Sequence, residues 1–248
     1  MKRYKLIVFD LDGTLAKSRS NLEEEMGVVF SALTEKYFVS VISGGDFKQF
    51  EKQFLPFIKL KEDASKNLVI CPTCGSKMYI LKNGVWEKIL SEDLSESEIE
   101  KINNALEVVS KKLSNPLDKV YGNKIQNRGT QFTYSGLGDE APLSVKMEWD
   151  PTQEKRKEIV NELMKIIPDF SIKIGGITSV DINRKGIDKA DGIKTLIEYF
   201  KGDKSDILFR GDALIPGGND YSAKEFGVDC IQVKDPIDTM KRINELLN

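Results

Sequence analysis

The chain has 248 residues, 40% of them hydrophobic and 31% charged, with a formal net charge of −2. That balance supplies the material for a packed core and excludes a generally basic nucleic-acid binder. It holds no histidine, which excludes the Ser-His-Asp triad, the Cys-His dyad, phosphohistidine and His-ligated zinc. Acid and base then fall to carboxylates, Lys, Tyr or Cys, and a metal falls to oxygen ligands, which favours magnesium. In chain order, residues 5–9 (KLIVF) form a short apolar run that reads as a buried strand and ends in Asp10-Leu11-Asp12-Gly13-Thr14. Over residues 21–36, Met26, Val29, Phe30 and Leu33 recur at helical spacing. Residues 38–42 are a second buried strand, running into Ser43-Gly44-Gly45-Asp46. A helix follows over 47–54, stopped before Pro56, and a third strand over 68–71. Strands alternating with helices predict a parallel sheet with helices on both faces.

The pattern then changes. Residues 77–81 and 85–89 flank Asn83-Gly84 and read as a hairpin. Ser95 and Glu98 form a capping box before Ile99, Ile102, Leu106 and Val109, the apolar stripe of a long amphipathic helix. Residues 130–135 alternate like a half-buried strand, 152–167 read as a helix closed by Pro168, and 171–174 and 179–183 as two paired strands around Gly175-Gly176. The alternating pattern resumes at Asp188 with a helix over 189–200, a strand over 206–210 and Gly211-Asp212. A short helix over 222–226, a strand over 230–233 and a terminal helix over 237–247, capped by Asp235 and opened by Pro236, complete the chain. The expected fold class is α/β: a Rossmann-like parallel-sheet core built from residues 1–83 and 187–248, with an α+β module inserted over 84–186.

The chemistry concentrates at the strand ends. In an open α/β sheet, ligands bind beyond the carboxyl ends of the strands. Asp10 and Asp12, one residue apart after the first strand, therefore point into that crevice. Asp10 is placed to attack phosphorus in line and become an aspartyl phosphate. A carboxylate approaching a phosphate dianion meets strong repulsion, so a cation must bridge them. Asp12 is placed to protonate the leaving oxygen and then deprotonate the next nucleophile. Gly13, with Thr14 beside it, lets the backbone bend close to the phosphate. An Asp-x-Asp-Gly alone is also an ordinary strand-to-turn junction; its companions, in order along the chain, displace that reading. Ser43 and Gly44 follow the second strand, where a hydroxyl and exposed N–H groups hold phosphoryl oxygens. Lys189 opens the first helix after the inserted module and is placed to neutralise Asp10 and the phosphoryl group. Asp212 is the expected direct magnesium ligand, with Asn219 and Asp220 holding the ion or supporting its ligands.

These residues resemble the haloacid dehalogenase superfamily of phosphotransferases, whose four motifs match Asp10/Asp12, Ser43, Lys189, and Asp212 with Asp220. The position of the inserted module resembles the subclass with a large α+β cap, which includes Cof-like sugar phosphatases, sucrose-phosphate phosphatase and eukaryotic-type phosphomannomutase. Gly211-Asp212 followed by Pro216-Gly217-Gly218-Asn219-Asp220 is closest to the phosphomannomutase form, and Arg128-Gly129-Thr130 and Ser179-Val180-Asp181 resemble that family's cap. The resemblance implies magnesium held by the Asp10 side chain, the Asp12 backbone carbonyl and Asp212. Three features depart from the mutases. The cap offers only Arg128, Arg156 and Arg184, with Lys146 where an arginine is expected. The second motif reads Ser-Gly-Gly-Asp, and Cys71-Pro72-Thr73-Cys74 follows the third strand.

That cysteine pair is half of a zinc knuckle, and no second pair or histidine completes a site within one chain. Structural cysteines are expected, with a metal site shared between subunits as the alternative. The expected activity is a magnesium-dependent phosphatase acting on a small phosphorylated metabolite, a sugar phosphate, with a phosphomannomutase-type mutase as the alternative. A non-catalytic sugar-phosphate binder on the same fold is a further alternative, opposed by the intact set of carboxylates and lysine. Ser179 and Asp181, two apart on one strand, are the expected sugar-binding residues, and Arg128 is the expected holder of a distant phosphate or a polar ring substituent. The N-terminus leads straight into a strand and no apolar run approaches the ~20 residues of a membrane span, so a cytoplasmic enzyme with no membrane or nucleic-acid partner is expected, homodimeric if it assembles.

Overall fold

Residues 4–113 and 119–248 are described in the computed structural model. The chain divides into two compact units, one made of residues up to Ser91 together with Ile187–Asn248, the other of Glu92–Gly186. The first begins with β1 (Leu6–Asp10), α1 (Glu24–Thr34), β2 (Phe38–Ile42), α2 (Phe47–Gln53), α3 (Glu62–Ser65), β3 (Leu68–Cys71), β4 (Lys77–Lys82) and β5 (Val85–Ser91). The second holds α4 (Glu96–Leu113), β6 (Ile125–Asn127), β7 (Gln131–Ser135), α5 (Leu143–Trp149), α6 (Glu154–Ile166), β8 (Phe170–Ile174) and β9 (Ser179–Arg184). The chain returns to the first unit with α7 (Lys189–Phe200), β10 (Ile207–Gly211), α8 (Tyr221–Phe226), β11 (Asp229–Gln232) and α9 (Pro236–Leu247).

The large sheet has the order β11-β10-β1-β2-β3-β4-β5, parallel from β11 to β3 and antiparallel through the hairpin. Alternation along β1 feeds two cores. Ile7 and Phe9 pack with Met26, Phe30 and Leu33 of α1, Phe50 of α2 and Ile243 of α9. Leu6 and Val8 pack with Ile193 and Leu196 of α7 and Ala223 of α8. Helices therefore cover both faces, which is why the parallel strands are continuous apolar runs. Phe30 meets Phe9 and Phe54 edge-on, at centroid distances of 6.0 and 5.0 Å. Each such fully buried ring contributes roughly 1.5–3 kcal/mol.

The expected boundary at residue 83 is corrected: Asn83 (φ 52°) and Gly84 (φ 76°) make the tight turn between β4 and β5, and β4 pairs with β3. Residues 85–91 are therefore strand in the large sheet, because the hairpin satisfies its backbone groups there. The second unit carries an antiparallel sheet of order β6-β7-β9-β8. Phe132, Tyr134, Ile172, Val180 and Ile182 pack on Ile102, Leu106 and Val109 of α4 and Ile159 and Leu163 of α6. The alternate residues form a polar face. The capping box expected at α4 is present: Ser95 N–H donates to Glu98 Oε2 (2.8 Å) and Glu98 N–H to Ser95 Oγ (3.3 Å). No helix among the described residues is long and apolar enough to cross a membrane.

Candidate active site

β10, β1 and β2 lie side by side and parallel, ending at Gly211, Asp10 and Ile42. The chain steps from β1 to β2 on one side and reaches β10 on the other, so a crevice opens beyond the ends of β1 and β10. Asp10 is 2% exposed, Lys189 1% and Asp220 0%. The Lys189 ammonium donates to Asp10 Oδ1 and Asp220 Oδ1. Its position is fixed by the capping box of α7: Asp188 accepts from Ala190 N–H (2.8 Å) and donates its own N–H to Asp191 (3.1 Å). Asp220 also accepts from the Ala213 N–H at 3.0 Å. A Cβ at Gly211 would stand 2.2 Å from Asp220 Oδ2, so that strand end has to be glycine.

Asp212 is half-buried and accepts a long hydrogen bond from Thr14 Oγ1 (3.4 Å). Gly13 has φ 89°, and a Cβ there would lie 2.5 Å from Asp212 Oδ2. Oxygens of Asp10, Asp212 and Asp220 lie within 4.8 Å of one another. Burial pushes the Asp10 carboxyl up to about 7 although Lys189 pulls the other way. Burial, then Asp220, raises Asp212. Burial alone would lower Lys189, but Asp10 and Asp220 hold it well above the ordinary lysine value, so its ammonium stays charged. Three carboxylates thus face one cation, and Asp10 Oδ2 is buried with no hydrogen-bond partner. An orphaned buried carboxylate oxygen is costly, and an all-oxygen donor set suits a hard divalent cation. The residues fit such an ion.

Asp12 is held by both oxygens, Oδ1 by the Arg19 N–H (2.6 Å) and Oδ2 by Gln49 Nε2 (2.7 Å). Ser43 is buried just past β2, and its Oγ accepts from the Gly45 N–H at 3.1 Å. Gly44 lies between them, beside Cys74 Sγ. Asn219 is exposed, and no hydrogen bond among the described residues ties its side chain to the carboxylates. Gln49 escaped the sequence reading; its signal was its place three residues after Asp46, the cap of α2, whose carboxylate accepts from the Gln49 N–H.

In the second unit, Ser179 and Asp181 share the polar face of β9 with Thr133, Gln131 and Ser135 of β7. Thr133 Oγ1 donates to Asp181 (2.7 Å), Gly176 N–H to Ser179 Oγ (2.8 Å), and Arg128 to Gln126 (3.0 Å). Arg156 and Arg184 are committed elsewhere, the first to Asp150 and the Gly176 carbonyl, the second to Glu98. Lys146 donates to the Asp139 carbonyl. Cys71 is buried against Ser40, and burial pushes its thiol up to about 12, away from the thiolate a metal requires.

A parallel sheet with paired aspartates after β1, a lysine opening α7, an aspartate after β10 and a module inserted between these motifs defines the haloacid dehalogenase superfamily. The fold agrees with a haloacid dehalogenase-like hydrolase from Bacteroides thetaiotaomicron, at a TM-score of 0.65 and 15% identity over 98% of this chain and 100% of that one. It also agrees with an IMP-bound IMP-nucleotidase from Plasmodium falciparum, at 0.72 and 15% over 99% and 68%. Within the superfamily, the chain belongs to the eukaryotic phosphomannomutase family, whose sequence model matches residues 26–248. It is 28% identical to the phosphomannomutases of Encephalitozoon cuniculi and Saccharomyces cerevisiae, over 98% of this chain and 93% and 94% of theirs.

Proposed function

We propose that the chain is a magnesium-dependent hexose-phosphate mutase that moves a phosphoryl group between two sugar hydroxyls by way of an aspartyl phosphate on Asp10. The carrying observation is the buried Asp10–Lys189–Asp220 cluster beside Asp212, in a chain aligned over 98% of its length with phosphomannomutases. This replaces hydrolysis as the first reading.

Asp10 attacks phosphorus, and Lys189 offsets charge on the carboxylate and on the phosphoryl oxygens. Asp12, aimed by Arg19 and Gln49, gives its proton to the departing sugar oxygen and takes one from the hydroxyl that next accepts the group. Ser43, Gly13, Thr14 and Gly44 line the place where phosphoryl oxygens are held. Asp10, Asp212 and the Asp12 carbonyl would hold magnesium, with Asp220 supporting them through Lys189. When bound, the ion supplies positive charge that offsets repulsion between carboxylate and phosphate. Ser179, Asp181 and Arg128 supply hydrogen-bonding groups for the sugar.

Hydrolysis is the second reading, favoured by one observation: Arg156 and Arg184 are spent on carboxylates within their own unit, which leaves fewer guanidinium groups for a second phosphate. A panel of hexose 1- and 6-phosphates with magnesium, with and without a hexose 1,6-bisphosphate, decides between them. Bisphosphate-stimulated isomer formation that outpaces phosphate release is the expected result; release of inorganic phosphate alone would replace the mutase with a phosphatase.

A further inference from the structure

The Cys-Pro-Thr-Cys segment has no role in the chemistry above, yet its backbone is unusual. Thr73, Cys74 and Gly75 have successive φ values of 49°, 58° and 91°. A β-branched threonine and a cysteine in the left-handed region persist only where their surroundings over-determine them. Those surroundings are the active site. The Thr73 N–H donates to the Gly45 carbonyl (2.8 Å) and the Cys74 N–H to the Ser43 carbonyl (2.9 Å), while the Ser43 N–H donates back to Cys71 (3.1 Å). Two successive donors are thus aimed at the carbonyls on either side of Gly44. On its other side the turn meets α7 backbone to backbone. A Cβ at Gly75 would lie 2.4 Å from Gly192 Cα, and a Cβ at Gly192 would lie 2.9 Å from the Cys74 carbonyl. Gly192 is three residues beyond Lys189, on the next turn of the helix. Thr73 is fully buried, and Ser76 Oγ closes the turn by donating to the Thr73 carbonyl at 2.7 Å.

We propose that the turn from Pro72 to Ser76 is a positioning element that locks the Ser43–Gly45 loop to the helix carrying Lys189, and that position 74 acts through its left-handed backbone rather than through its sulfur. The inference rests on the reading of Ser43 and Lys189 as phosphoryl-binding groups. Its ligand is that of the existing site; what it adds is the part that sets the spacing between an oxygen-holding loop and the neutralising lysine.

The test compares Cys74→Gly, Cys74→Asn, Cys74→Ala, Cys74→Val and Gly192→Ala. The readouts are kcat and KM for a hexose phosphate, and affinity for orthovanadate with magnesium. Glycine and asparagine accept the left-handed region, so those variants should stay within about twofold of the wild type. Alanine keeps the Cβ of cysteine and removes only the sulfur, so Cys74→Ala should also stay within about twofold, whereas valine at 74 and alanine at 192 should each lower kcat and vanadate affinity by about tenfold or more, since small misplacements of catalytic groups cost one to two orders of magnitude. If the valine variant does not fold, the loss in Gly192→Ala together with near-wild-type behaviour of the sulfur-free glycine, asparagine and alanine variants at 74 carries the test. Loss in the glycine and asparagine variants equal to that in valine would overturn the proposal, since the sulfur would then be what matters. Wild-type behaviour of folded Cys74→Val and Gly192→Ala would overturn it too. Should the wild type turn over no hexose phosphate, the proposed function fails on that result, and the vanadate affinities still decide the role of the turn.

Discussion

Asp12 sits just past the end of β1, bridged to Ala16, and its direction is set by two donors from different parts of the chain. One is the Arg19 backbone; the other is Gln49, which is itself tied to Gln53 Oε1 at 2.9 Å. Gly45 makes room for that amide, since a Cβ there would lie 1.6 Å from Gln49 Oε1. A hydrogen bond to a charged group contributes about 1.5–3 kcal/mol, so Gln49→Leu is expected to lower kcat about tenfold while KM changes little. Steady-state kinetics checks this, and an unchanged kcat would show that Gln49 does not aim Asp12. Asp10, Asp12, Lys189 and Asp212 were legible in the sequence because each stands at the end of a buried strand or the start of a helix, where the chain pattern itself gives position. Gln49 was not legible, because an amide on a short helix reads as surface until the fold brings it against the bend after β1. Asp220 was legible only as a supporting ligand; its contact with Lys189 joins residues 31 positions apart and needed the fold.

At the scale of elements, two arginines tie parts of the second unit together through ion pairs. Arg184 on β9 donates Nε to Glu98 Oε1 (2.8 Å) and Nη2 to Oε2 (2.7 Å), joining the sheet to the first turn of α4. The Arg184 hydrogen bonds, then the Ser95 N–H, hold Glu98 down to about 2. A depressed carboxylate stabilises the fold above its unfolded value, and that contribution is lost as pH falls through the folded value. Wild-type thermal stability should therefore decline between about pH 4.5 and 2 more steeply than that of Glu98→Gln. Parallel pH curves for the two proteins would contradict it. Asp150 and Arg156 are both buried, at side-chain exposures of 1% and 7%. Burial alone would raise Asp150, but hydrogen bonds from Arg156 outweigh it and leave its carboxyl low. Removing one member of such a pair leaves a buried charge, so Arg156→Ala should destabilise the chain by about 3–5 kcal/mol in urea unfolding; a loss under about 1 kcal/mol would mean water reaches Asp150. The Ser95–Glu98 cap was readable from a four-residue pattern. The partners of Arg156 and Arg184 were not, because sheet register and loop return bring them together.

At the scale of the whole molecule, a catalytic core and a substrate-reading module are proposed as the division of labour between the two units. The alternation of strands and helices made both units visible in the sequence. It misplaced the first join because a hairpin written as Asn-Gly carries no mark of which sheet it extends. The core gathers three carboxylates around one lysine, so magnesium should raise its melting temperature in a concentration-dependent way, and a chelator should remove both that gain and the activity. A melting temperature indifferent to magnesium would contradict the ion site independently of turnover. The central claim is that Asp10 carries the phosphoryl group. The most direct measurement is to quench the wild type during turnover of a hexose bisphosphate carrying radiolabelled phosphate, digest it and map the label. The account predicts label on the peptide containing Asp10, sensitive to hydroxylamine, and none in folded Asp10→Asn; label on another residue, or equal labelling of the variant, would contradict it.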